Sequence, residues 1–172
     1  MRYKEKLEPS NFDLYKMFFQ AQAFEETADK LGDFETEGQV PEGHLWLPWI
    51  VNKVFQVELL FKILLLVENK TDSVKKGKHD LYKLYCCLDE DVRMHLHTIG
   101  VFSDELLKES SDLFVTCRYI YEYKGAIVNG IPTLISVAKA AKREAVERLF
   151  KTDSTVVLRV NEKEIDTPHD VI

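Results

Sequence analysis

The sequence predicts an all-α fold: an antiparallel helical bundle of five to six helices, with a small C-terminal β-hairpin or a disordered tail. Apolar residues recur at three- and four-residue spacing through most of the chain. One segment, 46–67, is apolar on nearly every face, as expected of a central buried helix. The chain has 172 residues, 45% of them hydrophobic and 30% charged, enough for one domain with a core. We therefore assign 1–151 to a helical domain and 152–172 to a tail.

The first helix is predicted over 11–31. Ser10 is a suitable N-cap, and Asp13 falls in the first turn, where the helix dipole favours an anion. Gly32 suits the C-terminal end. Residues 33–44 contain two glycines and a proline, so they are predicted to form a loop before the central helix.

A polar loop over 69–78 is predicted to follow the central helix. Ser103 is the N-cap of the longest later helix, whose apolar stripe starts at Leu106 and ends at Tyr121. The later helices are predicted at 79–88, 89–97, 103–123 and 132–150. In the last of them the predicted buried positions are Leu134, Val137, Ala138, Ala141, Ala145, Val146 and Leu149. The tail carries a predicted strand, 155–160, and a short return strand.

Composition and charge exclude several classes of protein. The net charge is −6, and residues 25–42 alone hold seven acids and one base, so the rest of the chain is balanced and can carry a basic patch. Three cysteines, two of them adjacent, fit a reduced compartment. The first residues lack the apolar core of a signal peptide, and no apolar run approaches the roughly 18 residues of a membrane span. We therefore expect a cytoplasmic protein without a membrane segment.

Motifs for common cofactors and metals are absent from the sequence: it contains no GxGxxG, Walker A, HExxH or paired CxxC. Cys86 and Cys87 point about 100° apart on a helix. His95 and His97, two residues apart, face nearly opposite ways. We therefore expect no cofactor and no metal site.

Charged residues in and after the central helix are the first candidates for a site. Glu58 and Lys62 have the favoured order of an i, i+4 pair, yet they interrupt the most apolar helix. They form either a structural ion pair or the wall of a polar cleft, because unpaired burial is costly. Asp80 is suited to cap the next helix, and His79 is either a surface residue at that cap or faces a ligand or partner.

Two basic regions are the remaining candidates. Arg118 either pairs with Glu122 or forms, with Tyr119, Tyr121 and Tyr123, a surface for a phosphate and a stacked base. The last helix is either a solvated face or a phosphate-binding patch. Its basic residues are Lys139, Lys142, Arg143, Arg148 and Lys151.

Three of these segments, in this order, resemble the HEPN domains (higher eukaryotes and prokaryotes nucleotide-binding) over about 45–150. They are Glu58-x-x-x-Lys62-x-Leu64-Leu65, His79-Asp80-Leu81-x-x-Leu84 and Arg118-Tyr119. The resemblance implies a helical bundle that commonly dimerises and acts near RNA or nucleotides, often in prokaryotic defence or toxin–antitoxin systems. It carries over Glu58, Lys62, His79, Asp80, Arg118 and Tyr119 as ligand-binding cleft residues.

The sequence departs from the catalytic pattern of that family. Active HEPN domains are metal-independent ribonucleases that use an arginine followed, after four to six intervening residues, by a histidine. After Arg118 these positions hold Tyr123, Lys124 and Gly125. The nearest arginine–histidine pair is Arg93 and His97, with three residues between them.

Three functional hypotheses follow. The first is a non-catalytic, homodimeric HEPN-like module that binds RNA, a nucleotide or a protein partner. The second is a divergent ribonuclease, with His97 or His79 moving protons and Arg93 or Arg118 holding phosphate. The third is a regulatory interaction subunit whose tail strand joins the sheet edge of a partner.

Overall fold

The structure, a computed structural model, describes residues 8–32, 45–111, 113–118 and 130–150. Every element within these ranges is helical, which confirms the all-α prediction for them. A 3₁₀ turn, Pro9–Asn11, precedes eight α-helices. These are α1 Leu14–Leu31, α2 Trp46–Val67, α3 Thr71–Gly77, α4 Leu81–Cys86, α5 Glu90–Ile99, α6 Asp104–Glu109, α7 Leu113–Arg118 and α8 Ile131–Phe150.

Helix α2 is the centre of the core, as its composition predicts. It contacts α1, α3, α4, α7 and α8, and burial on several faces explains why its apolar residues show no single stripe. Three polar side chains, those of Lys53, Gln56 and Glu58, are buried on it as well. Lys53 Nζ donates to Asp29 Oδ1 at 2.9 Å, which ties α2 to the last turns of α1.

The predicted loop over 69–78 is wrong, because α3 occupies most of it. Only Val74 and Gly77 of this helix are buried, so its apolar face is too small to show as periodicity. Asp72 lies in the first turn and two lysines lie in the last turn, which suits the helix dipole. Burial of two residues against the core is therefore enough to stabilise α3, although its mostly polar composition does not predict a helix.

The predicted long helix over 103–123 is also wrong, because it is interrupted between α6 and α7. Ser110 Oγ donates to the Leu106 carbonyl at 2.7 Å, and serine hydroxyls that bond the backbone in this way compete with helix continuation. Ser111 leaves the helix to accept a hydrogen bond from the Tyr82 N–H at 3.0 Å. This interruption and the additional helix α3 explain why the described residues form eight helices where five or six were predicted.

Smaller differences concern caps and exposure. Asp13, not Ser10, caps α1, accepting from the Lys16 N–H at 3.1 Å. Val146 and Leu106, predicted to be buried, are 38% and 44% exposed. Asp89 and Ser103 take the N-cap positions of α5 and α6. The predicted loop over 33–44, the tyrosine-rich segment after Arg118, and the tail with its hairpin lie outside the described residues.

Candidate functional site

Glu58 is the centre of the first polar cluster. It is 4% exposed, and its carboxylate accepts from Lys62 Nζ one turn later on α2. His79 Nδ1 lies 3.1 Å from Oε1 and 3.0 Å from Oε2 of the same carboxylate. With an ionised carboxylate, which only accepts, the histidine tautomer that makes this hydrogen bond donates through Nδ1–H. Two residues of α2, Glu58 and Lys62, therefore meet a histidine from the segment that follows α3.

A cleft of about 630 Å³ opens beside this cluster. Lys62, Lys75, Lys78 and His79 line it, and the side chain of His79 is 58% exposed. Pro9, Phe12 and Val74 supply an apolar wall. The volume falls within the usual range of small-ligand sites. The cleft is therefore lined by basic and apolar side chains together with one acid, Glu8.

The turn between α3 and α4 brings Lys78 and His79 to the cleft. The Asp80 N–H donates to the Gly77 carbonyl at 3.0 Å, which closes a four-residue turn. Lys78 has φ 51° and ψ −105°, values near those of the first central position of a type II′ turn, where glycine is favoured. A lysine here is strained, and such strain persists where surrounding structure enforces it, commonly at binding sites.

Asp80 supports this turn rather than facing the ligand space. Its carboxylate accepts from the Lys83 N–H at 2.9 Å, as the predicted cap of α4, and pairs with Lys83 Nζ at 2.8 Å. Burial raises the pKa of Asp80, but the hydrogen bonds from the Lys83 ammonium and N–H outweigh it, so the pKa lies below 3.8. Asp80 is thus an ionised cap that holds the His79 backbone in place.

Arg118 and Tyr119, the last pair of the resemblance, cannot be joined to this cluster. Arg118 is the final residue of α7, and α7 packs on α2. The side chain of Arg118 and all of Tyr119 lie outside the described residues, so their predicted place in the cleft stays a prediction.

A second polar cluster surrounds Tyr85. Its hydroxyl donates to Asp104 Oδ1 at 2.9 Å and lies 2.8 Å from His97 Nε2. His97 also contacts Asp104, at 3.0 Å, and stacks on Phe102 with ring centroids 4.4 Å apart. Burial of the hydroxyl, followed by its bond to Asp104, raises the pKa of Tyr85 well above 10.0. The charge of Arg93, one turn before His97, opposes this rise.

A third cluster, at the contact of α5 with α8, was missed by sequence reasoning. Glu144 is 2% exposed; its Oε2 contacts His95 Nδ1 and its Oε1 accepts from Arg148 Nε. Arg148 Nη2 also reaches Asp91 at 3.3 Å. One signal was present: Glu144 follows the buried Val137 by seven residues, which puts both on one helix face.

The basic face of α8 is largely paired within the described residues. Lys142 Nζ lies 2.6 Å from Glu25, and Arg143 lies 3.6 Å from Glu147. Arg148 contacts Glu144 and Asp91. Each of these three cations has a carboxylate partner, and the interpretation of this face as a phosphate-binding patch stays a prediction.

Comparison of the chain with protein-family models, curated proteins and solved structures gives no match. None of the described helices combines the length and apolarity that a membrane crossing requires. The functional argument consequently depends on the clusters themselves.

Proposed function

We propose that the chain is a non-catalytic, HEPN-like binding module whose cleft takes a phosphate-bearing ligand, a nucleotide or RNA. The observation that carries the proposal is the convergence of Lys62, Lys75, Lys78 and His79 on one cleft. These residues come from three segments of the chain, so their meeting is a property of the fold. Ammonium and imidazolium groups are the donors that recognise phosphate.

Glu58 gives this cleft a fixed geometry. Its carboxylate contacts Lys62 Nζ and His79 Nδ1, so both side chains are oriented before a ligand binds. A ligand then loses less side-chain freedom on binding. Two acids, Glu58 and Glu8, face three lysines and a histidine, so the cleft is net positive although the chain is net negative.

The apolar wall indicates what accompanies the phosphate. Phe12 offers a flat ring and Pro9 a rigid apolar surface on the same cleft as the lysines. Bases stack on such surfaces, and stacking adds about 1–3 kcal/mol per base. A free inorganic anion would contact only the basic side chains, whereas a nucleotide would contact the basic and the apolar side chains.

A binding titration with charge-matched variants tests the proposal. The probe is an end-labelled single-stranded RNA, with adenosine monophosphate and inorganic phosphate as competitors. Lys75→Gln/Lys78→Gln should weaken RNA binding at least about tenfold and reduce the slope of log affinity against log salt by about 1.4, because each phosphate contact on a single strand accounts for about 0.7. Lys30→Gln/Lys108→Gln removes the same charge from residues that do not line the cleft and should change affinity less than twofold.

Two results would contradict the proposal. One is absence of binding by the wild-type chain to both RNA and the mononucleotide at millimolar ligand. The other is equal loss in both double variants, which would mean that only net charge matters. If inorganic phosphate competes as strongly as the mononucleotide, the proposal that a base stacks on the apolar residues of the cleft is wrong.

The antiparallel bundle and the homodimer belong to this proposal as well. The homodimer rests on the resemblance to HEPN domains; Phe19 and Met94, at 50% and 59% exposure, are single apolar side chains of the kind that monomer surfaces also carry. Analytical ultracentrifugation at micromolar concentration should show a dimer; a monomer at all concentrations would contradict this part.

A divergent, metal-independent ribonuclease is the second candidate, favoured by the Tyr85–His97–Asp104 contacts. His97 would move protons while Arg93 holds the phosphate. RNA cleavage in EDTA that is lost in Arg93→Ala/His97→Ala and retained in His95→Ala would support this site. The triple variant Arg118→Ala/His79→Ala/His97→Ala tests the two remaining candidates, Arg118 and His79, together with His97, and undiminished cleavage in it would exclude all three.

A further inference from the structure

We propose that His95, Glu144 and Glu147 form a binding site for a divalent transition-metal cation of the zinc type. One ligand atom from each residue, an imidazole nitrogen and two carboxylate oxygens, lies within 4.8 Å of the other two. The site is separate from the basic cleft. It also departs from the expectation of no metal, which weighed His95 only against His97.

The arrangement of the two glutamates follows from helix geometry. Residues three apart on a helix share a face, so Glu144 and Glu147 of α8 present both carboxylates toward α5. His95 completes the set from α5, at the contact between the two helices. A cation bound here would join two helices that adjoin through this contact.

The chemistry of the donors selects the cation. One imidazole with two carboxylates is a set that Zn²⁺, Mn²⁺ and Co²⁺ accept, whereas Ca²⁺ and Mg²⁺ prefer oxygen ligands alone. Three protein ligands leave a coordination position for water, as in catalytic rather than structural zinc sites. Zinc–ligand distances are about 2.0–2.2 Å, so an ion held by all three atoms requires side-chain rotation, and it would replace the hydrogen bond between His95 and Glu144.

Charged side chains contact the two glutamates of this site, as groups behind the ligands do in known metal sites. Arg148 holds the far oxygen of Glu144, and Arg143 lies 3.6 Å from Glu147. Asp91 in turn holds Arg148 at 3.3 Å. Groups of this kind orient ligand carboxylates in metal sites. The burial of Glu144, at 2% exposure, keeps one ligand fixed, whereas His95 is 41% exposed and leaves a path for the ion.

Metal titration of the chelator-treated full chain tests the site. Zn²⁺ is titrated against a chromophoric chelator, and Co²⁺ is followed by its visible absorption. We expect one strong equivalent, with affinity at least about tenfold weaker in His95→Ala and in Glu147→Gln. Matched controls are His97→Ala, two residues away on α5, and Glu109→Gln on α6; both should keep wild-type affinity.

The partly exposed ligands are chosen because replacing Glu144 risks unfolding the contact. Circular dichroism shows whether each variant is folded. The proposal is wrong if the wild-type chain binds no metal at micromolar Zn²⁺, or if His95→Ala and Glu147→Gln bind like their controls. A thiolate-to-cobalt charge-transfer band that persists in His95→Ala would place the metal on cysteine instead, and would overturn the proposal equally.

Discussion

The clusters around Glu58 and Glu144 share one design and differ in their surroundings. In each, a buried glutamate contacts a basic residue four positions later on its own helix and a histidine Nδ1 from another segment. The first opens on a cleft lined by further lysines. The second has Glu147 and Asp91 beside it.

The difference teaches that the same local triad can favour ligands of opposite charge. Beside Glu58, the added charged side chains are two lysines, Lys75 and Lys78, and one acid, Glu8, so the excess of cations makes an anion the expected ligand. Beside Glu144, the added side chains are mostly carboxylates, so a cation is expected. The buried glutamate orients the basic residue and the histidine. The charges of the surrounding side chains then decide whether the cluster favours an anion or a cation.

The largest expected effect tests whether both glutamates are structurally required. Glu58→Ala and Glu144→Ala should each lower the free energy of unfolding by about 3 kcal/mol, because each removes a buried carboxylate and leaves a half-buried cation, Lys62 or Arg148, without it. Urea denaturation at neutral pH, with chelator present, measures this. Glu147→Ala, a partly exposed neighbour, should lose less than about 1 kcal/mol; losses as small in the other two would contradict the shared design.

The next effect tests whether a backbone change near Glu58 alters the cleft without altering the cluster around Glu144. In Gly77→Ala, the new Cβ would lie 2.9 Å from Cγ of the buried Leu84, so the α3–α4 turn must shift. We expect a loss of about 1–3 kcal/mol from overpacking and weaker RNA binding, with unchanged Zn²⁺ affinity. Lys76→Ala, its exposed neighbour, should leave stability nearly unchanged; an equal effect of both substitutions would show that the turn does not position the cleft.

A smaller effect follows from the ionised cap at Asp80. Its folded pKa is lowered, so its charge adds stability that is present above about 3.8 and is lost as pH falls through the folded pKa. Asp80→Asn keeps a capping oxygen, and we expect a loss of about 0.5 kcal/mol at pH 7, screened by solvent. The free energies of unfolding of the wild type and Asp80→Asn, measured from pH 7 to pH 2, should converge as the pH falls. A difference that stays constant over this range would contradict a charge effect.

The smallest effect concerns the acid at the mouth of the cleft. Glu8 Oε2 lies 2.6 Å from Lys75 Nζ, and the ion pair raises the pKa of Lys75. A ligand phosphate must compete with this carboxylate. Glu8→Gln should therefore tighten RNA binding about twofold at low salt, an effect that disappears at high salt. Weaker binding in this variant would mean that Glu8 contacts the ligand directly.

Much of the fold was predictable from the sequence. The central position of α2 follows from its uniform apolarity, and the bounds of α5 and α8 follow from caps and periodicity. The failures have local causes. A seven-residue helix with one buried valine leaves no periodic trace, and the serine pair at 110–111 ends a helix through hydrogen bonds that a pattern of apolar spacing does not register.

The candidate residues were predictable, but their partners were only partly so. Glu58 with Lys62 follows from i, i+4 spacing, and Asp80 from its place before a helix. The contact of His79 with Glu58 was an open alternative. The contact of His95 with Glu144 was missed, because the two residues are 49 positions apart.

The sequence alone therefore determined that the described part of the chain is mostly helical, which helix is central and which charged groups are expensive to bury. These properties depend on spacing and composition within one segment. Only the tertiary structure decided which histidine meets which glutamate, and whether lysines or carboxylates surround the pair. Those outcomes depend on the docking of whole helices, which is driven by apolar burial and leaves little trace in the order of the polar residues it brings together.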